Sequence, residues 1–344
     1  DPLLWQGSRQ ENITWTVRPS KNNGYWLDMT GITGATEITL FNENKLPTEE
    51  ILTDWGDGTQ NSELTHTYST AGKYVVVSNL QIGATLQKIG AYTTKAVIYY
   101  YTNPGDLFFG FSKMTEAVLT DHYVELVNEK KPTNFGRMLY NTKLQKLPDN
   151  LNKIDTSSAT SMNQMFYGFQ SLTEQDIDLT WMNVSNVTDM SGMFEWSATI
   201  KSLNTTGWNT SKVQNMTNMF HGAKGLTNLD LTHWDVSSCT NMSGMFNEAS
   251  TLTSLDVSSW NFEKCTAINQ FIRETTNLVD FNMSGVTFGA TGVNFQNFAY
   301  QSGVQNVNMS NITTAGKVSF ESPFYGCSKL KTIDFSNSHF KPNG

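Results

Sequence analysis

The sequence predicts a mainly β protein, in which a small N-terminal β domain is followed by a parallel solenoid of about 26-residue coils. The first observation is a 26-residue repeat that runs without gaps from Ser185 onward. The second is an N-terminal stretch that lacks this repeat and alternates apolar with polar residues. The third is composition, because 38% hydrophobic and 12% aromatic residues suffice for a core while only 16% of residues are charged.

The N-terminal segment, residues 1–80, has the period-two pattern of half-buried strands, as in Tyr74–Ser78. Before this run lies Asp54–Thr59, in which two glycines flank an aspartate and permit a tight hairpin turn. We expect the carboxylates of Asp54 and Asp57 to accept hydrogen bonds from the turn. A calcium site is the alternative, although two carboxylates supply fewer oxygens than calcium takes.

Apolar residues recur at four phases of the repeat, which predicts stacked coils that bury these positions against one another. We expect six regular coils in residues 185–340, after irregular leading coils in residues 81–184. The four columns are Met190, Met216, Met242 and Ile268, continuing as Asn294 and Phe320; Phe194, Phe220, Phe246, Ile272, Phe298 and Phe324; Leu203, Leu229, Leu255, Phe281, Val307 and Ile333; and Trp208, Trp234, Trp260, Val286 and Ile312.

Two polar columns accompany the predicted strand of each coil. We expect the Asn or Asp that follows the strand residue to bind backbone groups at the turn, and the hydroxyl residue two positions later to be structural. Many of these pairs form Asn-x-Ser/Thr triplets, which the repeat explains better than glycosylation does. The columns are Asn204, Asp230, Asp256, Asn282, Asn308 and Asp334, and Thr206, Thr232, Ser258, Ser284, Ser310 and Ser336.

The sequence shows no pattern of a metal, cofactor or catalytic site. Three cysteines argue against a disulfide framework. Cys239 and Cys265 are one repeat apart and are predicted to be stacked neighbours, with a disulfide between them as the alternative. None of the five histidines pairs at metal-ligand spacing, and phosphate-loop and nucleophile-elbow motifs are missing.

Charge and hydropathy exclude two classes of partner. A net charge of −8 provides no basic footprint for nucleic acid. No apolar run approaches the length of a membrane span, so membrane insertion is not expected.

Two motifs resemble known families. Trp55–Thr59, followed by His66–Tyr68 and Ala71–Tyr74, resembles the polycystic-kidney-disease-type (PKD) immunoglobulin-like domain, a seven-strand sandwich. The unit Leu229–Phe246, repeated over 185–340, is similar to the BspA-like leucine-rich-repeat surface proteins. The resemblance implies extracellular adhesion or recognition and brings no catalytic residues with it.

The residue after the Phe column varies in type from coil to coil, which predicts an exposed column. It reads Glu195, His221, Asn247, Arg273, Ala299 and Tyr325. Aromatic and arginine side chains dominate protein interfaces, so we predict a binding face; an ordinary solvated face is the alternative. The predicted face consists of Tyr167, Trp196, His221, Asn247, Arg273 and Tyr325.

We therefore expect a non-catalytic binding or adhesion protein at a bacterial cell surface or on a phage virion, with a protein or glycan as partner. The alternatives are a structural subunit of a virion, fibre or extracellular filament, and a carbohydrate-active β-solenoid enzyme. Because the last unit runs to Phe340 without a polar cap, we expect further chain, a second copy or a neighbouring subunit to cover it.

Overall fold

The computed structural model describes residues 23–40, 53–78, 89–99, 103–227 and 229–342. The protein is mainly β, with 5% helix and 25% strand, which confirms the predicted class. The chain forms two compact units, Asp1–Lys131 with Leu139–Ile154, and Pro132–Met138 with Asp155–Gly344.

The described strands of the first unit form a mixed sheet in the order β4-β3-β6-β1-β7-β8 and a separate antiparallel pair of β2 with β5. Strand β1 is antiparallel to β6 and β7, whereas β7 and β8 are parallel. The strands are β1 (Asn23–Asp28), β2 (Thr36–Thr39), β3 (Thr53–Asp54), β4 (Gln60–Asn61), β5 (Thr65–Tyr68), β6 (Lys73–Ser78), β7 (Thr93–Ile98) and β8 (Glu116–Leu119). Residues predicted as leading coils thus contribute β7 and β8 to the N-terminal sheet.

Helical structure in the first unit is short. Helix α1 (Asp121–Lys130) begins at Thr120, whose hydroxyl accepts the Tyr123 N–H, and buries Tyr123, Val124 and Val127. It ends at Lys131, which adopts a left-handed conformation and donates its N–H to the Val127 carbonyl. Two 3₁₀ turns, Ile89–Ala91 and Leu151–Lys153, complete the unit's described helical segments.

The second unit contains a parallel β-solenoid of about six turns over residues 176–341. Its strands form the sheets β9-β10, β11-β12-β15-β17 and β13-β16-β14, with β18 paired to β16. The strands are β9 (Asp176–Asp178), β10 (Ser202–Asn204), β11 (Ser254–Asp256), β12 (Asp280–Asn282), β13 (Thr287–Phe288), β14 (Val293–Asn294), β15 (Asn306–Asn308), β16 (Thr313–Ser319), β17 (Thr332–Asp334) and β18 (His339–Pro342).

The predicted strand column keeps the 26-residue spacing. Leu255 pairs with Phe281, Phe281 with Val307, and Val307 with Ile333. Leu229 is the exception, since it is half-buried and lies outside a strand, between the β9-β10 sheet and the sheet that begins with β11.

The gapless repeat is wrong at the turns of one coil. Ala267 is bridged to Asn294, 27 positions on, whereas Val293 pairs with Val318, 25 positions on. The Ile272 N–H accordingly donates to the Phe298 carbonyl, as the Phe246 N–H donates to that of Phe271. Relative to the preceding coil, this coil therefore has one extra residue between Phe288 and Asn294. It has one residue fewer between Asn294 and β15, so that β12 and β15 pair again at a spacing of 26 residues.

This shift changes two of the predicted columns. Ala299, not Phe298, continues the Phe column after Ile272, and it is fully buried there. Phe295, not Asn294, continues the Met column, because it stacks on Phe320 with ring centroids 4.8 Å apart. We call Phe166, Phe194, Phe220, Phe246, Ile272, Ala299 and Phe324 the inward ladder.

The inward ladder forms a stack of phenylalanine rings from Phe166 to Phe246 and continues with the smaller buried side chains Ile272 and Ala299. Phe194 and Phe220 lie 5.7 Å apart between ring centroids, and Phe220 and Phe246 lie 5.5 Å apart, with nearly parallel rings. The predicted Trp column is also buried, and Trp208 stacks on Trp234 at 5.9 Å. Burial of each such aromatic side chain contributes about 2–3 kcal/mol.

The Asn and Asp column forms the expected turns. In each coil the side-chain oxygen accepts the backbone N–H of the hydroxyl residue two positions later, at 2.8–3.2 Å. The same turn occurs at other phases, for example from Ser237 to Asp235 and from Thr217 to Asn215. These hydrogen bonds explain the repeated Asn-x-Ser/Thr triplets as elements of the turn.

Cys239 and Cys265 are buried free thiols on adjacent coils, as the stacked arrangement predicts. Burial raises the pKa of the Cys239 thiol to about 12 and also raises that of Cys265. Both side chains therefore act as small apolar residues of the core.

Candidate functional site

The Asp54–Thr59 turn uses both of its carboxylates internally. Asp54 accepts the Gly56 N–H at 2.9 Å, and burial raises the pKa of this carboxyl. Asp57 accepts the Thr59 N–H at 3.0 Å and lies 2.7 Å from the His66 ring nitrogen. These bonds agree with a structural role for both carboxylates, and among the described residues no cluster of three or more His, Cys, Asp or Glu could hold a metal ion.

A second ladder runs beside the inward ladder on the same turns. Each of its members directly follows an inward residue, and all of them except the buried Asn247 are exposed or half-buried. With the corrected register this outward ladder consists of Tyr167, Glu195, His221, Asn247, Arg273, Tyr300 and Tyr325. Tyr300 was not predicted, because the uncorrected repeat places Ala299 in this column.

The residue after each outward position adopts a left-handed conformation, with φ between 53° and 75°. Glycine occupies it in three coils, at Gly168, Gly222 and Gly326, as expected for this conformation. The other coils place a side chain there, and Trp196 is the largest, with φ of 58°. A bulky residue in this conformation is rare and costs roughly 1–2 kcal/mol.

Trp196 lies in a cluster of side chains from three coils, which we call the Trp196 cluster. Its other members are Glu195, His221, Lys224 and Glu248. The His221 ring lies 4.7 Å from the indole, and the Lys224 ammonium lies 5.5 Å from the centre of the same indole. Lys224 is also 3.2 Å from a carboxylate oxygen of Glu248. On its other side Trp196 covers Gly222, where a Cβ would stand 2.4 Å from the indole.

His221 lies between two carboxylates in this cluster. Its Nδ1 is 2.9 Å from Glu195 Oε1, whereas its Nε2 is 3.6 Å from Glu248 Oε1. The side chains of His221 and Glu195 are only 16% and 12% exposed, so solvent screens this pair weakly.

A stack of planar groups occupies the later coils. The Arg273 guanidinium lies 5.4 Å from the Tyr300 ring centre, and Tyr300 stacks on Tyr325 at 5.2 Å. Glu274 pairs with Arg273. Tyr325 is 62% exposed and is the most exposed large aromatic residue in the described part of the chain.

The predicted face is thus partly assembled. Trp196 and His221 are in contact, and Arg273 and Tyr325 contact a shared neighbour, Tyr300. Asn247 was expected to be exposed, and this is wrong, since it is buried, with only 5% of its surface exposed. Tyr167 lies one coil before Glu195 and is half-buried.

Lys224 and Glu248 belong to the cluster but were missed from the sequence, since neither lies in the column after Phe. The sequence offers a signal only for Glu248, which lies one 26-residue coil after Gly222 and occupies the same left-handed position of its turn.

The family comparison gives one result for this chain. A model described as "Mycoplasma protein of unknown function, DUF285" matches residues 106–226, 168–283 and 196–311, which together span more than half of the chain. The chain belongs to this family. No curated protein matches the chain.

The DUF285 matches overlap, and the second and third begin one coil apart, at residues 168 and 196. Such overlap follows from the repeat, since one model fits the coils in more than one register. The matched region contains the Trp196 cluster, Arg273 and Tyr300, whereas Tyr325 lies beyond it. In the described part of this DUF285 chain, no helix has the length and apolar character to cross a membrane.

Proposed function

We propose that this chain is a non-catalytic recognition protein of a bacterial cell surface or a phage virion, and that the outward ladder binds a protein or glycan. In the same proposal the coils are BspA-like leucine-rich repeats. The DUF285 match and the solenoid fold support this proposal, because the 26-residue unit of this chain resembles the repeats of BspA-like proteins.

The conformation of Trp196 carries the proposal. Three coils use glycine at this position, and the solenoid therefore does not require an indole there. A strained residue that the fold does not require is characteristic of a functional surface. Its neighbours on the ladder, with Arg273, Tyr300 and Tyr325, are of the types that dominate binding energy at interfaces.

The N-terminal module is proposed to be of the PKD type. The Trp55–Thr59 motif closes a turn in which the Trp55 N–H donates to the Thr59 carbonyl. The Tyr68 hydroxyl donates to the Trp55 carbonyl, and Trp55 is fully buried. These contacts give Trp55, Thr59 and Tyr68 of the motif a structural role, and in this proposal the module serves as a spacer or support for the repeats.

The test is binding of the labelled full chain to an array of glycans and extracellular matrix proteins. Two variants are compared with the wild type: Arg273→Ala/Tyr325→Ala on the outward ladder, and Ser254→Ala/Thr332→Ala on the exposed strand face. We expect saturable binding that the ladder variant loses by at least about tenfold and the strand-face variant keeps. Equal binding by both variants, or none by the wild type, would contradict the proposal.

A structural subunit is the second candidate, favoured by the apolar surface of residues 320–340. Phe320 is 38% exposed and Phe335 is 40% exposed, whereas their counterparts in preceding coils are buried. A second copy or neighbouring subunit would cover these side chains. Sedimentation of the wild type beside Phe320→Lys/Phe335→Lys tests it: assembly that only the wild type shows supports this role, and monomers in both exclude self-assembly through this surface.

A further inference from the structure

His221 has two ring nitrogens in unequal environments. Nδ1 is at hydrogen-bond distance from Glu195, 2.9 Å, whereas Nε2 is 3.6 Å from Glu248, beyond a normal hydrogen bond. A neutral imidazole has one N–H, and these distances fit a ring that donates from Nδ1 and turns the lone pair of Nε2 toward Glu248. A lone pair facing a carboxylate is repulsive, which explains the longer distance.

Protonation reverses the sign of that contact. The imidazolium carries an N–H on both nitrogens, so Nε2 becomes a donor toward Glu248 Oε1 and the two groups attract each other. Glu195 already accepts from Nδ1, so the imidazolium would bridge carboxylates of the coils before and after its own. Histidine side chains in general change their charge between about pH 5 and 8.

Glu248 connects this event to the indole. Its second oxygen, Oε2, is 3.2 Å from the Lys224 ammonium, and that ammonium lies 5.5 Å from the centre of the Trp196 ring. Lys224 is 48% exposed and is therefore free to follow a movement of Glu248. The other charged groups nearby are Arg273 and Glu274 of the following coil, and these pair with each other.

We propose that His221 is a proton-dependent switch that changes the arrangement of the side chains in the Trp196 cluster. Proton uptake brings Glu248 Oε1 within hydrogen-bond distance of His221 Nε2. This movement weakens the ion pair between Glu248 and Lys224 and changes the position of the Lys224 ammonium over the Trp196 indole. The role in recognition rests on the proposed function, but the switch is a property of the free protein and is testable without a ligand.

The test is a pH titration of the full chain by two-dimensional NMR between pH 5 and 8. Signals are assigned with His221→Gln and Trp196→Phe. We expect the Trp196 indole N–H signal to follow the His221 ring signals along one titration curve. In Glu248→Gln, which keeps the shape of the side chain but removes its charge, we expect the indole response to shrink to the part that the adjacent His221 ring causes directly.

Two results would overturn the switch. One is an indole signal that is constant with pH while His221 titrates, and the other is an unchanged indole response in Glu248→Gln. Circular dichroism of each variant shows whether it is folded. Lys224→Met provides a second test, since it should reduce the indole response to the same extent as Glu248→Gln while leaving His221 in place. A working switch with no ligand bound in the array experiment would reject only the recognition role.

Discussion

The inward and outward ladders are made by neighbouring residues on the same turns, and they differ in chemistry. The inward ladder is Phe in most coils, and the rings from Phe166 to Phe246 stack face to face. The outward ladder changes from carboxylate to imidazole, amide, guanidinium and phenol within the same coils. Stacking against two neighbours fixes the inner residue, whereas the outer residue is left to vary. In each turn, the residue that stabilises the core and the residue that sets the surface chemistry are therefore neighbours in the sequence.

The largest loss of stability is expected from a substitution in the inward ladder. Phe220→Ala removes a fully buried ring that stacks on Phe194 and Phe246, and should lower the free energy of unfolding by about 3–5 kcal/mol. Urea denaturation followed by circular dichroism measures it. Phe220→Met, which retains most of the volume, is the control and should cost less than about 2 kcal/mol; equal losses would mean that ring stacking and volume are not what holds these coils.

A smaller effect is expected where the register changes. Gly292→Ala should destabilise by more than about 1 kcal/mol, because Gly292 has φ of 85° and its Cβ would stand 2.6 Å from the Lys317 carbonyl. Gly285→Ala is the matched control, since it has φ of 75° but open space around its Cβ. Thermal melting compares the two variants. An equal decrease of the melting temperature in both would show that the close approach of Gly292 to the Lys317 carbonyl is unimportant.

Acid should weaken the turns that carry aspartate. Hydrogen bonds from Thr232 lower the pKa of Asp230; at Asp256 partial burial raises the pKa, but bonds from Ser258 and Asn282 outweigh it and lower it. Because both folded-state pKa values lie below the unfolded ones, this stability is complete above about pH 4 and is lost as the pH falls through the folded-state values.

Asp230→Asn/Asp256→Asn isolates this contribution. The amide oxygen still accepts the turn N–H, so stability at pH 7 should change by less than about 1 kcal/mol. The decrease of the unfolding free energy from pH 5 to pH 2 should be smaller than in the wild type. A pH dependence identical to that of the wild type would assign the acid sensitivity to other carboxyls.

The smallest effect on stability is expected at Trp196. Trp196→Gly removes the indole contacts with Gly222 and Lys224 but also relieves the left-handed strain, so the two changes should offset each other within about 1 kcal/mol. Chemical denaturation measures the balance. A loss above about 2 kcal/mol would make Trp196 a structural residue and remove the main support for a recognition surface.

Much of the fold was predictable because buried positions repeat at a fixed spacing. Leu255, Phe281 and Val307 pair as the repeat requires. The one-residue shift was hidden because each turn buries two consecutive residues, as in Met245-Phe246. Phe298 therefore fits the column of Phe246 as well as the column of Met245. The glycines at 289 and 292 were the only local sign of the extra residue.

The candidate site was less predictable than the fold. His221 and Arg273 were found from the variable column and Trp196 from its place beside that column, but their partners come from other phases of the repeat. Glu248 contacts His221 only because the left-handed turn brings it beside the preceding coil. Contacts of this kind depend on side-chain direction, which residue spacing does not determine.

The most direct test of the division between the two ladders is thermal melting of Arg273→Ala/Tyr300→Ala/Tyr325→Ala. If the outward ladder is not needed for the fold, this variant should melt within about 4 °C of the wild type, which corresponds to roughly 1 kcal/mol. A decrease as large as that of Phe220→Ala would contradict the division and make the outward ladder part of the framework of the solenoid.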